Sequence, residues 1–560
     1  MNKYYKKLLL FCFILLFSFS SFALGKQSSQ ILQSGHWIYD DLTYLTTESK
    51  TTMYLETQPL SVGEINFFLK NINYDNLSSS GKAVYDRVYD FLNDRDNFIQ
   101  NDYARLFVNL KLNPELYYKS NENINWSFNP NFVDYPITFP IIIGFSDYFT
   151  VQTDLFIGKH RPAGAAPDNF TNIPTSGGQL EFATPNFAYF SGAKLFENWG
   201  ITAHMGKQGK KIGNTSLGSI IYNDTFDTDF YSQLNLFNRF FKLSMDVIQV
   251  DNSKFLYTHE LTLRPFKNFN ISVVEGSLLN APFELRYLNP LMLMHSFGSW
   301  IEYDKVQHDF YGESNFCAYL AFTLEYIPIK NMRIYALYAQ NEILDLGGSR
   351  SPRALSVPDS LGGQLGIEYY IPMANSSLIK TGLEAVYTSP FLYVKHSPVW
   401  SMFRIKDNMQ SSQDSYSWLG SPFGPDCFAL QASVDYDSNK KWSVGLDYTF
   451  SIHGENTAEN LFNEKNMKDD GFWYYYPSVK YDKNTDQNVK DAAVKESRNM
   501  WMSGTKEYKN QIKVNGNYKI FPNLELTAQF AYTFAFNNKN IKDNFQQGVE
   551  LAFALSCQLF

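Results

Sequence analysis

The chain has 560 residues, 44% of them hydrophobic and 17% aromatic (48 Phe, 38 Tyr), and a formal net charge of -8. That acidic balance, with no basic cluster, argues against a nucleic-acid partner. Four scattered cysteines give neither a disulfide framework nor metal-ligand spacing.

In chain order, Lys3, Lys6 and Lys7 precede an apolar run from Leu8 to Phe17, and Ser21-Phe22-Ala23 supplies small residues at a cleavage position. Residues 1–23 therefore read as a secretory signal peptide. Cys12 has no small-residue lipobox before it, so no lipoprotein is expected. No later stretch approaches eighteen consecutive apolar residues, so no transmembrane helix is expected.

Residues 24–104 read as a polar spacer and a small helical subdomain on the periplasmic side. Gly35-His36-Trp37-Ile38-Tyr39-Asp40-Asp41-Leu42 opens a helical piece that continues to Leu45. Ser61-x-x-Glu64 has capping-box spacing before Ile65, Phe68, Leu69 and Ile72. From Lys82 to Asn93, the residues Val84, Tyr85, Val88, Phe91 and Leu92 share one helical face. The His-Trp-x-Tyr-Asp opening and the Pro-Leu-Ser helix start loosely resemble a surface-layer-homology repeat, a cell-wall-binding module. The alternative is a helical bundle packed against the mouth of a barrel.

From Arg105 onward the pattern changes to period two. Tyr135 to Gly144 and Phe149 to Gly158 form a hairpin around Ser146-Asp147. Further strands are expected at 255–263, 332–340, 364–371, 378–387, 428–436 and 442–450. In the last fifty residues Leu524, Leu526, Phe530, Tyr532, Phe534 and Phe536 alternate with polar or small residues. Each such run is about ten to thirteen residues, enough to cross a bilayer when tilted. Short turns (437–440, 522–523) alternate with long polar connections (161–178, 347–361, 453–506), as in outer-membrane barrels. The expected fold class is all-β, a transmembrane antiparallel β-barrel over residues 105–560, with on the order of 16 to 18 strands. The polar stripe of Asp435, Asp447, Lys513, Asn515, Glu525 and Gln529 is expected to face the interior. The expected location is the bacterial outer membrane, with membrane lipid and the barrel insertion machinery as partners.

Catalytic patterns are missing from the sequence. Gly206 to Thr215 lacks the G-x-x-x-x-G-K-[ST] spacing of a phosphate loop and leads into strand-like residues. The histidines are dispersed, and no G-x-S-x-G occurs. The expectation is a non-enzymatic protein without cofactor or metal. Within 455–498, Phe472-Trp473-Tyr474-Tyr475-Tyr476 is flanked by Lys465, Lys468, Asp469 and Asp470. Aromatic faces stack on sugar rings while nearby carboxylates bond hydroxyls, so Trp473, Tyr474, Tyr475 and Tyr476 are the candidate polysaccharide-binding residues. An interfacial aromatic girdle would look the same.

Several phrases in order resemble the Wzi family of capsule assembly proteins. They are Gly206 to Asp224, the strand from Glu275 ending in Arg286-Tyr287-Leu288-Asn289-Pro290, and Tyr335 to Asp345. Tyr387-Thr388-Ser389-Pro390 and Leu419-Gly420-Ser421-Pro422-Phe423-Gly424-Pro425-Asp426 complete the series. The resemblance implies a largely closed barrel of about eighteen strands that binds surface polysaccharide. One departure is Phe560, out of parity with the apolar stripe from Val549 to Leu559. The rival expectation is a porin or substrate-specific channel, distinguished by whether an inserted loop closes the bore.

Overall fold

The computed structural model describes residues 26–93, 99–100, 104–124, 135–159, 170–181, 185, 187–224, 228–292, 294, 316–342, 360–394, 401–406, 415–439, 441–461, 473–476, 479–481, 486, 488 and 500–559. The signal-peptide reading and Phe560 fall outside these residues.

Eighteen antiparallel strands close into one barrel. The first, β1, is interrupted and comprises Ala104–Val108, Lys111–Leu112 and Glu115–Lys119. Then come β2 (Ile137–Phe145), β3 (Phe149–Lys159), β4 (Leu180–Glu181 and Ala188–Leu195), β5 (Trp199–Gln208) and β6 (Asp229–Asn238). The next six are β7 (Phe241–Asp251), β8 (Lys254–Phe266), β9 (Phe269–Asn280), β10 (Phe316–Tyr326), β11 (Met332–Glu342) and β12 (Ser360–Pro372). The last six are β13 (Leu378–Thr388), β14 (Cys427–Asp437), β15 (Trp442–His453), β16 (Glu507–Phe521), β17 (Leu524–Phe536) and β18 (Gln546–Gln558).

Period two decides which side chain faces where. On β12, Gln364, Glu368 and Tyr370 are 2–3% exposed, whereas Leu365, Ile367 and Tyr369 are 37–59% exposed. The even positions point into the bore and the odd ones outward, where an apolar stripe suits lipid. Turns at one end are short, such as Lys267-Asn268 and Pro522-Asn523, and most connections at the other end are long. The barrel closes where β1 meets β18, from Glu550↔Lys119 to Ala554↔Glu115, with Cys557↔Leu112 beyond.

Three helices fill much of the short-turn end: α1 (Ile38–Ser49), α2 (Val62–Leu69) and α3 (Ser79–Asn93). The capping box is made as the sequence predicts. Ser61 Oγ accepts from Glu64 N at 3.1 Å, and the Glu64 carboxylate accepts from Ser61 N at 2.9 Å. On α3 the i, i+4 series Val84, Val88 and Leu92 is buried and packs with α1, α2, Tyr370 and Leu378. This plug is tied to the barrel turns. Thr52 N donates to Lys267 O at 2.7 Å, Tyr54 Oη to Asn238 O at 2.8 Å, and Ser80 Oγ to Ser377 O at 2.7 Å.

Between α1 and α2 the chain enters the bore. There Thr57-Gln58 pairs antiparallel with Lys211-Ile212, which belongs to the β5–β6 connection folded inward from the long-loop end. Two segments from opposite ends of the barrel thus share a two-residue ladder inside it. The wall holds both through buried charges. Lys242 on β7 pairs with Glu64 at 2.8 Å, and Lys210 pairs with Asp246 at 3.0 Å. Arg333 on β11 reaches Glu325 at 3.0 Å, Glu368 at 3.1 Å and the Asn214 carbonyl at 2.7 Å. Charges in such a site are tolerable only when paired.

Candidate functional site

The inward β5–β6 connection is built from residues that water would not keep at the surface. Ile212, Ile220, Ile221 and Tyr222 are at most 1% exposed. They cluster with Tyr393, Phe403, Trp418 and Leu419 from the β13–β14 connection. Their backbone is held by the barrel wall. The Glu384 carboxylate on β13 accepts from Ser216 N at 2.8 Å and Leu217 N at 3.2 Å, and also from the Tyr335 hydroxyl and the Gln364 amide. Gln364 Nε2 donates to Gly218 O at 2.8 Å. The Tyr393 hydroxyl donates to Ile220 O at 2.5 Å and accepts from Ser421 N at 2.9 Å, so the inner loop and the outer loops share one hinge point.

Asp426, at the end of the Leu419-to-Asp426 phrase, is the centre of the long-loop face. Its carboxylate accepts from Ser503 N at 2.9 Å, Asn456 N at 3.1 Å and the Ser503 hydroxyl. Burial pushes its carboxyl above the ordinary range, against the pull of these donors. Gly454 is required beside it, because a Cβ there would lie 2.0 Å from Asp426 Oδ2. Asn540 Nδ2 reaches the carbonyls of His453 (3.0 Å), Gly454 (3.1 Å) and Thr505 (2.8 Å), which fastens the β17–β18 connection to the same cluster. The ends of the long β15–β16 connection are therefore fixed on a rigid base, which is what a binding loop needs.

The structure places Trp473, Tyr474, Tyr475 and Tyr476 inside that connection, as a short backbone hairpin with Val479–Tyr481. Their side chains lie outside the described residues. Trp501, which the sequence did not single out, stands at the foot of the same connection with 52% of its surface exposed, and its carbonyl accepts from the Tyr387 hydroxyl at 3.0 Å. By contrast, Phe145, Tyr148, Phe149, Trp199 and Phe240 are exposed beside short turns, the position of an interfacial belt. Inward placement of the predicted polar stripe holds at Lys513 and Asp447, which pair at 3.0 Å.

Among the described residues no group of three His, Cys, Asp or Glu side chains is placed to hold a metal. No family model matches the chain, and no curated protein matches it in sequence.

Solved structures do match. Wzi of Escherichia coli, described as an outer-membrane protein involved in group 1 capsule assembly and a carbohydrate-binding β-barrel, superimposes with a TM-score of 0.56. The match covers 94% of this chain and 99% of that one at 12% identity. The fold is that of an outer-membrane barrel. Two Pseudomonas aeruginosa structures align less well. OpdQ does so at 8% identity and a TM-score of 0.39, over 82% of this chain and 99% of its own. OccK3 does so at 10% identity and a TM-score of 0.38, over 81% of this chain and 95% of its own.

Proposed function

We propose that the protein is a non-enzymatic outer-membrane barrel that binds or organises surface polysaccharide, as the Wzi-like phrases imply. The observation that carries this reading is the filling of the bore. A ladder between Thr57-Gln58 and Lys211-Ile212, set among buried ion pairs, suits a barrel that works at its outer surface more than one that passes solutes. The long-loop face is braced at Asp426, where the two ends of the β15–β16 connection meet, and weak contacts repeated along a polymer would add up by avidity. Trp501 joins Trp473, Tyr474, Tyr475 and Tyr476 as a candidate stacking residue.

Two measurements test it. The refolded protein in a planar bilayer is expected to stay electrically silent; large, stable openings would favour the rival channel reading. Intact cells bearing the protein are expected to retain purified surface polysaccharide, and Trp501→Ala is expected to weaken that retention several-fold. Retention equal to that of cells lacking the protein would overturn the proposal.

A further inference from the structure

The helical plug does not fill the whole short-turn end. A cleft of about 1000 Å3 lies between it and strands β13 to β17. One bridge spans it: Arg87 on α3 pairs with Asp41 on α1 at 2.6 Å and with Asp437 at the end of β14 at 3.2 Å. The plug side offers the Trp37 indole, 40% exposed, with Asp40 and Asp90. The barrel side offers Asp435, Asn515, Asn517 and Glu525. Tyr44 and Tyr370, their rings 5.2 Å apart, also line the space. The cleft is blind. Along β17 the inward side chains pass from half-buried Glu525 to Gln529 at 8% exposure and Thr533 at 0%.

A leftover gap in a polar bore would be expected to neutralise itself, as the rest of this bore does. Here Asp40, Asp90, Asp435 and Glu525 make no ion pair among the described residues, and neither do Lys441 and Lys519 on the same lining. A third ammonium group on the lining, Lys380, is engaged by Glu368 at 3.2 Å, so four carboxylates without an ion pair stand against the two ammonium groups of Lys441 and Lys519 and leave the cleft acidic. Carboxylate and amide oxygens along one wall accept hydroxyl or amine protons, and the asparagine amides donate in return. The Trp37 indole across from them already holds the Arg87 guanidinium 5.7 Å from its ring, and its exposed part is a surface on which a sugar ring can lie. The volume is within the range of small-ligand sites.

We propose that this cleft is a second saccharide site, on the face opposite the long loops. It takes a neutral or amine-bearing oligosaccharide and rejects uronate-rich ones. Its ligand class rests on the polysaccharide reading above, but its location and charge preference do not.

The test uses the full-length protein in detergent micelles, where both faces are accessible, and reads binding by saturation-transfer NMR and calorimetry. The ligands are a glucosamine trisaccharide, a galacturonic acid trisaccharide and, as a pure charge control, trilysine. The glucosamine trisaccharide is expected to bind at least tenfold more tightly than the galacturonic one. Asp435→Asn combined with Glu525→Gln is expected to reduce that binding tenfold or more. Asn517→Leu, at an exposed strand-end position, should weaken it with the barrel's heat-modifiable gel mobility unchanged. Absence of glucosamine binding, indifference to both variants, equal binding of the uronate, or trilysine binding as tightly as the sugar would each overturn the proposal. Polysaccharide retention on intact cells samples only the outer face. Its loss with cleft binding intact would sink the function proposed above and leave this site standing; the reverse result would do the opposite.

Discussion

Glu384 illustrates how much of the closed bore hangs on one side chain. It accepts from two loop amides, a tyrosine hydroxyl and a glutamine amide at once. Removing it leaves buried donors without acceptors, each costing about 1–3 kcal/mol. Glu384→Ala is expected to destabilise the folded barrel by about 3–5 kcal/mol, read as an earlier urea midpoint in gel-mobility unfolding, with Glu384→Gln intermediate. Gly454 is the counterpart on the outer face. Gly454→Ala places a methyl group on the Asp426 carboxylate, so the β15–β16 connection should become sensitive to added protease on intact cells while the strands stay folded. A wild-type cleavage rate in that variant would count against Asp426 as the brace.

At the scale of elements, α1 carries a pH dependence. Its N-cap, Trp37, makes no side-chain capping bond. Instead His36 Nδ1 accepts from Ile38 N at 3.3 Å, which requires that nitrogen to be unprotonated. Burial, with smaller contributions from Lys111 and Lys26, lowers the His36 pKa from 6.5 to about 4. Above pH 6.5 the imidazole is neutral in both folded and unfolded states and its contribution is complete. As the pH falls from 6.5 towards 4, the unfolded chain takes up a proton that the folded one refuses, so stability declines through that window by at most about 3 kcal/mol. His36→Gln should flatten this dependence, seen as a plug whose protease resistance no longer falls between pH 6.5 and 4.

Elements also separate what the sequence reveals from what it hides. The strands of the last fifty residues could be read because alternation is local: Leu526 and Phe530 need only their neighbours to show which face they take. The Ser61–Glu64 cap was equally local. The inward loop was not, since Ser216 meets Glu384 from 168 positions away. Its one local signal is Ile220-Ile221-Tyr222, an apolar triplet whose strand-like look says nothing of an inward fold. The cleft was hidden for the same reason, because Trp37 and Asn517 come together only when the barrel closes around the plug.

For the molecule as a whole, three joints are laced more loosely than the rest: β1–β18, β1–β2 and β3–β4 each pair only in a run of five residues and a run of two. Strands β16 and β17 keep one register from Tyr508↔Phe536 to Lys519↔Glu525, whereas β1, broken at Asn109-Leu110 and Asn113-Pro114, meets β18 only in two short runs. A cylinder opens where its lacing is loosest. Of the three, the β1–β18 seam alone has no connecting loop, because it joins the sequence ends of the barrel, so it is expected to be the last stitch of assembly and the first to part under load. Hydrogen–deuterium exchange should reveal it, with amides of Glu115–Lys119 exchanging well before those at the centre of β17. Because the plug is tied to turns on both sides of the bore, parting the seam would yield a curled, still-laced sheet wrapped around its own contents, and reclosing would need only the final stitch.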